Sequence, residues 1–160
     1  MSVTAEDFTR TLTRVPAPVT VVTTVDHGGR RFGFTGSAFS SLSLDPPLVL
    51  VCLAKTASTH AAFVAADRFL VNILAHDQHE VATRFATSGI DRFAAGDMTP
   101  AELGLPGLPG AAARLGCAVH AVHEGGDHSI LIGRVLSVHI GQETPLAYLD
   151  RGFVRPVPTN

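Results

Sequence analysis

The chain has 160 residues, of which 46% are apolar and 16% charged, with a formal net charge of −2. That length suits one domain over residues 1–160 with a sizeable core, and the apolar content excludes a disordered chain. The charge gives no basis for a nucleic-acid or anionic-membrane partner, and so little charged surface predicts that part of it is covered in a homo-oligomer.

No apolar run approaches a membrane span, and the N-terminus lacks a basic region followed by an apolar one, so a cytoplasmic protein is expected. Thr4-Ala5-Glu6-Asp7 has capping-box character, and Phe8, Leu12 and Val15 share one face of a helix predicted from Ala5 to Val15. Pro16 and Pro18 end it. The β-branched run from Val19 to Val25, the turn His27-Gly28-Gly29 and a return from Arg30 to Phe34 predict a hairpin.

Strands are expected at Ala38–Leu44, Leu48–Leu53 and Phe69–Leu74, with helices at Thr56–Ala66 and Asp77–Phe85. The Gly- and Pro-rich stretch from Met98 to Pro109 is expected to be a mobile loop. Further strands follow near Ala112–His123, Ile130–Ile140 and Pro145–Leu149, with turns at Gly125-Gly126 and Gly141-Gln142. Many short strands and few helices predict a mainly β protein with a closed or nearly closed antiparallel barrel, although pattern alone does not separate barrel from sandwich. Cys52 and Cys117 each lie in an apolar run, are far apart in sequence, and are expected to be buried free thiols.

Four segments carry residues suited to chemistry. Gly33-Phe34-Thr35-Gly36-Ser37-Ala38-Phe39-Ser40-Ser41 sets small and hydroxyl residues between aromatics and runs on to Asp45-Pro46-Pro47. Small side chains let a flat ligand approach the backbone, whose N–H and C=O groups reach its polar edge. Taken alone, the same pattern suits a solvated strand. Lys55-Thr56-Ala57-Ser58-Thr59 precedes a predicted helix, where hydroxyls, an ammonium and free N–H groups suit a phosphate or simply cap the helix. Gly126-Asp127-His128 opens a strand, and Tyr148-Leu149-Asp150-Arg151-Gly152-Phe153 ends the patterned region.

Other constellations fail. His120 and His123 would face opposite sides of a strand, His76 and His79 lack an evident third ligand, and neither a dinucleotide glycine fingerprint nor a nucleophile elbow is present.

Together the four segments resemble the flavin reductase-like family, the reductase components of two-component flavin-dependent monooxygenases. The resemblance runs from the Val15-Pro16 region to Phe153. It implies a split β-barrel, a fold shared with pyridoxamine phosphate oxidases, and a homodimer with its flavin site near the subunit interface. It implies FMN or FAD as flavin, NADH or NADPH as cosubstrate, and a separate oxygenase that receives the reduced flavin.

By residue, the resemblance places Thr35, Ser37, Ala38 and Phe39 along the flavin ring, and Lys55, Ser58 and Thr59 at its phosphate. Asn72 is either a polar contact to the flavin or a buried amide tied to backbone. Arg84 and Phe85 match an Arg-Phe pair near the cofactor. Asp127 and His128 match a Gly-Asp-His motif implicated in nicotinamide binding, with His128 shaping the pocket rather than acting as a base. Tyr148 and Arg151 fall near the flavin or the nucleotide, with Tyr148 and Phe153 equally suited to the core or an interface. Gly36 stands where relatives carry alanine, and Pro18 where they often carry glycine. The competing expectations are a flavin-binding electron carrier and a split-barrel oxidase acting directly on a small substrate.

Overall fold

A computed structural model describes residues 2–160. Thr4 caps helix α1 (Ala5–Leu12), its hydroxyl accepting from Asp7 N at 3.0 Å, and the helix ends a turn earlier than expected. None of its residues is buried, and Phe8, Leu12 and Val15 all stay exposed. The apolar stripe is real, but none of the described residues covers it.

The strands follow as β1 (Ala17–Pro18), β2 (Thr20–Val25), β3 (Arg31–Gly36), β4 (Phe39–Ser43) and β5 (Leu48–Ala54). Between β2 and β3, Asp26 Oδ1 accepts from Gly28 N and Arg30 N at 2.9 Å each, and Gly29 takes a φ of 82°. This fixes the hairpin register that the sequence predicts. Helix α2 covers only His60–Val64, shorter than the Thr56–Ala66 expected, and leads into β6 (Arg68–Ile73) and α3 (His79–Ala86). Two-residue strands β7 (Thr99–Pro100) and β8 (Pro106–Gly107) flank a 3-10 turn at Glu102–Gly104. The long hairpin β9 (Ala113–Gly125) and β10 (His128–Ile140) precedes β11 (Ala147–Leu149) and β12 (Gly152–Val154), the last not expected from sequence.

Seven strands form one antiparallel sheet in the order β3-β2-β6-β9-β10-β5-β4, and β1, β11 and β12 form a separate small sheet. Strands β3 and β4 are consecutive in the chain yet lie on opposite edges. Only Ser37 and Ala38 join them, and the three Cα steps from Gly36 to Phe39 span at most about 11 Å. The sheet must therefore roll up until its edges meet. No hydrogen-bonded ladder joins β3 to β4 among the described residues, so the rolled sheet stays open along that seam. This is the split barrel.

Two apolar clusters hold it. Val22, Phe34, Val51, Phe63, Phe69, Val71 and Leu131 pack in the barrel interior, while Val21, Leu74, Phe85, Phe93, Met98 and Leu108 pack under α3. Strand β2 serves both, which is why Thr20 to Thr24 are buried without alternation. The stretch from Met98 to Pro109 is not a free loop. Met98, Leu105 and Leu108 are buried, Thr23 Oγ1 donates to Pro106 O at 2.6 Å, and Asn72 Oδ1 accepts from Leu108 N at 2.8 Å. Glycine and proline there shape a tight strap whose apolar residues belong to the core.

Candidate functional site

The open seam holds a cleft of about 440 Å³. One wall is the run from Phe34 to Ala38. The facing wall is Cys52 to Ala54 of β5 with the turn from Thr56 to Thr59, and Phe85, Ala86, Ser88, Arg92 and His128 complete it. Because β3 and β4 are edge strands, backbone groups that no neighbouring strand uses face the seam, where a planar ligand could pair with them. Gly33 lets α3 come close, since a Cβ there would lie 2.7 Å from the Phe85 ring. The Thr35 hydroxyl donates to Ala82 O at 2.5 Å, so it offers a ligand only its lone pairs. Cys52 lines the cleft half-buried rather than sealed in the core, and burial pushes its thiol pKa up. Cys117 is buried as expected and its pKa is pushed up to about 12 by the same effect.

Ser58, Thr59 and Arg92 line the cleft together. Thr59 is 7% exposed, and its Oγ1 is the buried side-chain polar atom without a hydrogen-bond partner among the described residues. An unpaired buried hydroxyl costs free energy unless a ligand completes it. Just beyond it, His60 Nε2 meets the buried Ser129 Oγ at 2.9 Å and anchors this turn to β10. The Arg92 guanidinium donates from Nε to Thr87 O at 3.1 Å and from Nη1 to Gly33 O at 2.7 Å, which leaves three of its N–H donors over. Burial lowers its pKa, the expected response of a cation short of a counter-ion.

Strand β10 starts beside the end of β5, with His128 opposite Ala54. Lys55 N donates to Asp127 O at 2.9 Å and ties the two strand ends together. His128 Nδ1 lies 2.7 Å from Asp127 Oδ1, and that hydrogen bond holds the Asp127 carboxyl below its ordinary range. With the carboxylate as acceptor, Nδ1 carries the proton and Nε2 is the nitrogen free to meet a ligand. Asp127 itself is 94% exposed and does not line the cleft.

The cleft thus gathers Thr35, Ser37, Ala38, Ser58, Thr59, Phe85 and His128. Other expected site residues lie elsewhere. Phe39 packs against the barrel core instead of lining the cleft. Lys55 points away and pairs with Glu124, whose carboxyl pKa it lowers. Asn72 is fully buried, its Nδ2 donating to Val21 O at 3.0 Å and its Oδ1 accepting from Leu108 N, so the backbone-tied alternative holds. Arg84 donates from Nε to Arg92 O and grips both Asp97 carboxylate oxygens at 2.7 Å. Tyr148 sits on β11 against Phe153, and Arg151 is exposed beside Arg14 and Asp150, both away from the cleft. The helix-start argument for a phosphate also weakens, because α2 begins only at His60 and has five residues.

The residue that sequence reasoning missed is Arg92. The chain contains four Arg-Phe pairs, at Arg31, Arg68, Arg84 and Arg92, and the cleft takes Phe85 from the third and the arginine from the fourth. With four such pairs in the chain, the dipeptide alone does not tell which arginine reaches the cleft.

A model of the flavin reductase like domain matches residues 12–156. The chain belongs to the flavin reductase-like family. Among family relatives, the chain is 44% identical over 89% of its length, and 81% of the relative's, to an actinorhodin polyketide dimerase of Streptomyces coelicolor. It is 43% identical, over 96% of its own length and 89% of the relative's, to an NADH:riboflavin 5'-phosphate oxidoreductase of Streptomyces pristinaespiralis. A reductase subunit of a flavin-dependent monooxygenase from Rhodococcus jostii is 43% identical over 81% of this chain and 67% of its own. Among solved structures, the NADH:FAD oxidoreductase of Streptomyces globisporus in complex with NAD and FAD fragments superposes with a TM-score of 0.90 at 34% identity, covering 99% of this chain and 98% of that one.

Thr59→Val tests the orphan hydroxyl in this family member. Valine keeps the shape and removes an unpaired polar atom, so the melting temperature without ligand should not fall, while flavin affinity should drop by about tenfold if this hydroxyl bonds the flavin phosphate. Unchanged affinity in the folded variant would leave Thr59 as a plain loop residue.

Proposed function

We propose that the cleft binds a flavin, with its ring along the edge from Thr35 to Ala38 and its phosphate at Ser58, Thr59 and Arg92, and that the protein reduces it with NADH. The observation that carries this reading is the unpartnered Thr59 hydroxyl in a cleft that a half-buried arginine and His128 also line. The residues present fit the group. Small side chains admit a flat ring, an orphan donor and a cation await an anion, and no acidic side chain lines the cleft among the described residues.

When bound, the flavin supplies the hydride acceptor and NADH the hydride. The chain needs no nucleophile for this, and its part is binding, alignment and exclusion of water. The edge of β3 and the Ser37-Ala38 connection position the ring and present backbone donors to the edge where negative charge develops. Phe85 closes the inner end and Arg92 compensates the phosphate. His128, oriented by Asp127 and by the Lys55 N–H to Asp127 O bond, bounds the space for the nicotinamide and offers Nε2 to it.

His128→Ala should raise the KM for NADH or lower kcat by about tenfold to a hundredfold, the cost of one contact, with flavin affinity little changed. Steady-state NADH kinetics beside flavin titration separate the outcomes, since lost flavin binding would move His128 onto the flavin and wild-type kinetics would remove it from the site.

The reduced flavin would pass to a separate oxygenase, a reading supported by the likeness to the reductase subunit of a flavin-dependent monooxygenase. We also place the protein in the cytoplasm, where NADH is formed and where its two cysteines would stay reduced. No helix among the described residues is long and apolar enough to cross a membrane. A homodimer would cover the apolar stripe of α1 and the outer β10 residues Leu136, Val138 and Ile140, which are exposed in the single chain.

A further inference from the structure

The wall formed by Ser58, Thr59 and Arg92 is shared. On its far side lies a second cavity of about 550 Å³, bounded by Gly29 to Gly33 and by Ile90 to Phe93. A ligand whose phosphate sits at the shared wall therefore has a place for whatever extends beyond it. The far cavity is cationic. Arg30 and Arg31 join Arg92 there, against the single carboxylate of Asp91, which is held by Phe93 N at 3.0 Å. Neither Arg30 nor Arg31 is in an ion pair among the described residues. Their guanidinium groups instead rest over aromatic rings, Arg30 5.0 Å from the Phe32 centroid and Arg31 4.7 Å from that of Phe93. Planar cations held on aromatic faces with free donors suit a diphosphate, and Phe32 with Ile90 adds apolar surface for a base.

We propose that this second cavity takes the adenylate half of FAD, so that the protein prefers FAD to FMN. The proposal rests on the flavin reading of the cleft. The adenylate of a nicotinamide nucleotide has the same chemistry, but the geometry favours FAD. The cavity opens from the phosphate end of the flavin cleft, whereas His128 lines only the cleft and not the cavity.

The test titrates FAD and FMN against the wild-type protein and against Arg30→Ala/Arg31→Ala, with the KM for NADH measured in parallel. FMN and FAD carry similar charge near neutral pH, so a general field effect would weaken both alike, and only a local contact to the adenylate separates them. The wild type should bind FAD roughly tenfold or more tighter than FMN, and the double variant should lose most of that margin with FMN affinity unchanged. Retained FMN affinity also certifies the fold of the variant. Equal wild-type affinities for the two flavins, equal losses of both in the variant, or a rise in the NADH KM alone would overturn the proposal. If the wild type bound neither flavin, the reading of the cleft itself would fail with it.

Discussion

Flavin affinity should fall by about tenfold to a hundredfold in Arg92→Ala, because a charge-assisted hydrogen bond to phosphate contributes roughly 1.5–3 kcal/mol. Arg92 is placed for that contact by its bonds to Gly33 O and Thr87 O, which aim the rest of the guanidinium at the wall shared with Ser58 and Thr59. Those two bonds are also structural, so some loss of stability accompanies the substitution. Arg92→Lys separates the two effects. It keeps the charge and loses the planar fork, so affinity should lie between wild type and alanine if the contact is to an anion. Isothermal titration with FAD checks the series. A folded Arg92→Ala protein that binds flavin as the wild type does would return Arg92 to a purely structural role.

Asn72→Ala should have the opposite signature, a large stability loss with no direct loss of binding. Its amide satisfies Val21 O and Leu108 N, both in the buried interior, and alanine strands the two backbone groups. Each stranded group costs about 1–3 kcal/mol, for a total of about 2–6 kcal/mol. In a chain of this size that lowers the melting temperature by roughly 5–20 °C. Below its new transition the variant should bind flavin normally. An unchanged melting temperature with weakened flavin binding would put Asn72 in the cofactor site after all.

The strands were legible because their signals are local. The β-branched run Val19 to Val25, the turn at His27-Gly28-Gly29 and the long apolar runs of β5 and β10 each define an element without help from elsewhere. The split was not legible in periodicity. It follows from β3 and β4 lying at opposite edges while only two residues join them, a fact of topology that the family resemblance supplied.

Within the cleft, the small and hydroxyl residues of two short segments, Thr35 to Ala38 and Ser58 to Thr59, were readable because each segment presents them side by side. Charged residues were harder. Lys55 and Arg84 find carboxylates, Glu124 and Asp97, that are distant in sequence, and no local pattern reveals those partners. Arg92 reaches the cleft only because α3 turns back at Thr87 and brings the following segment against β3. The strap from Met98 to Pro109 read as mobile because glycine and proline punctuate it. Its buried Leu105 and Leu108 outweigh that composition.

The most direct test of the whole account is NADH consumption by the purified protein, measured with no flavin, with FMN and with FAD. Turnover that depends on added flavin, with the reduced flavin released to reduce an external acceptor, is the predicted result. Flavin binding with no NADH consumption would contradict it and make the protein an electron carrier built on the same barrel.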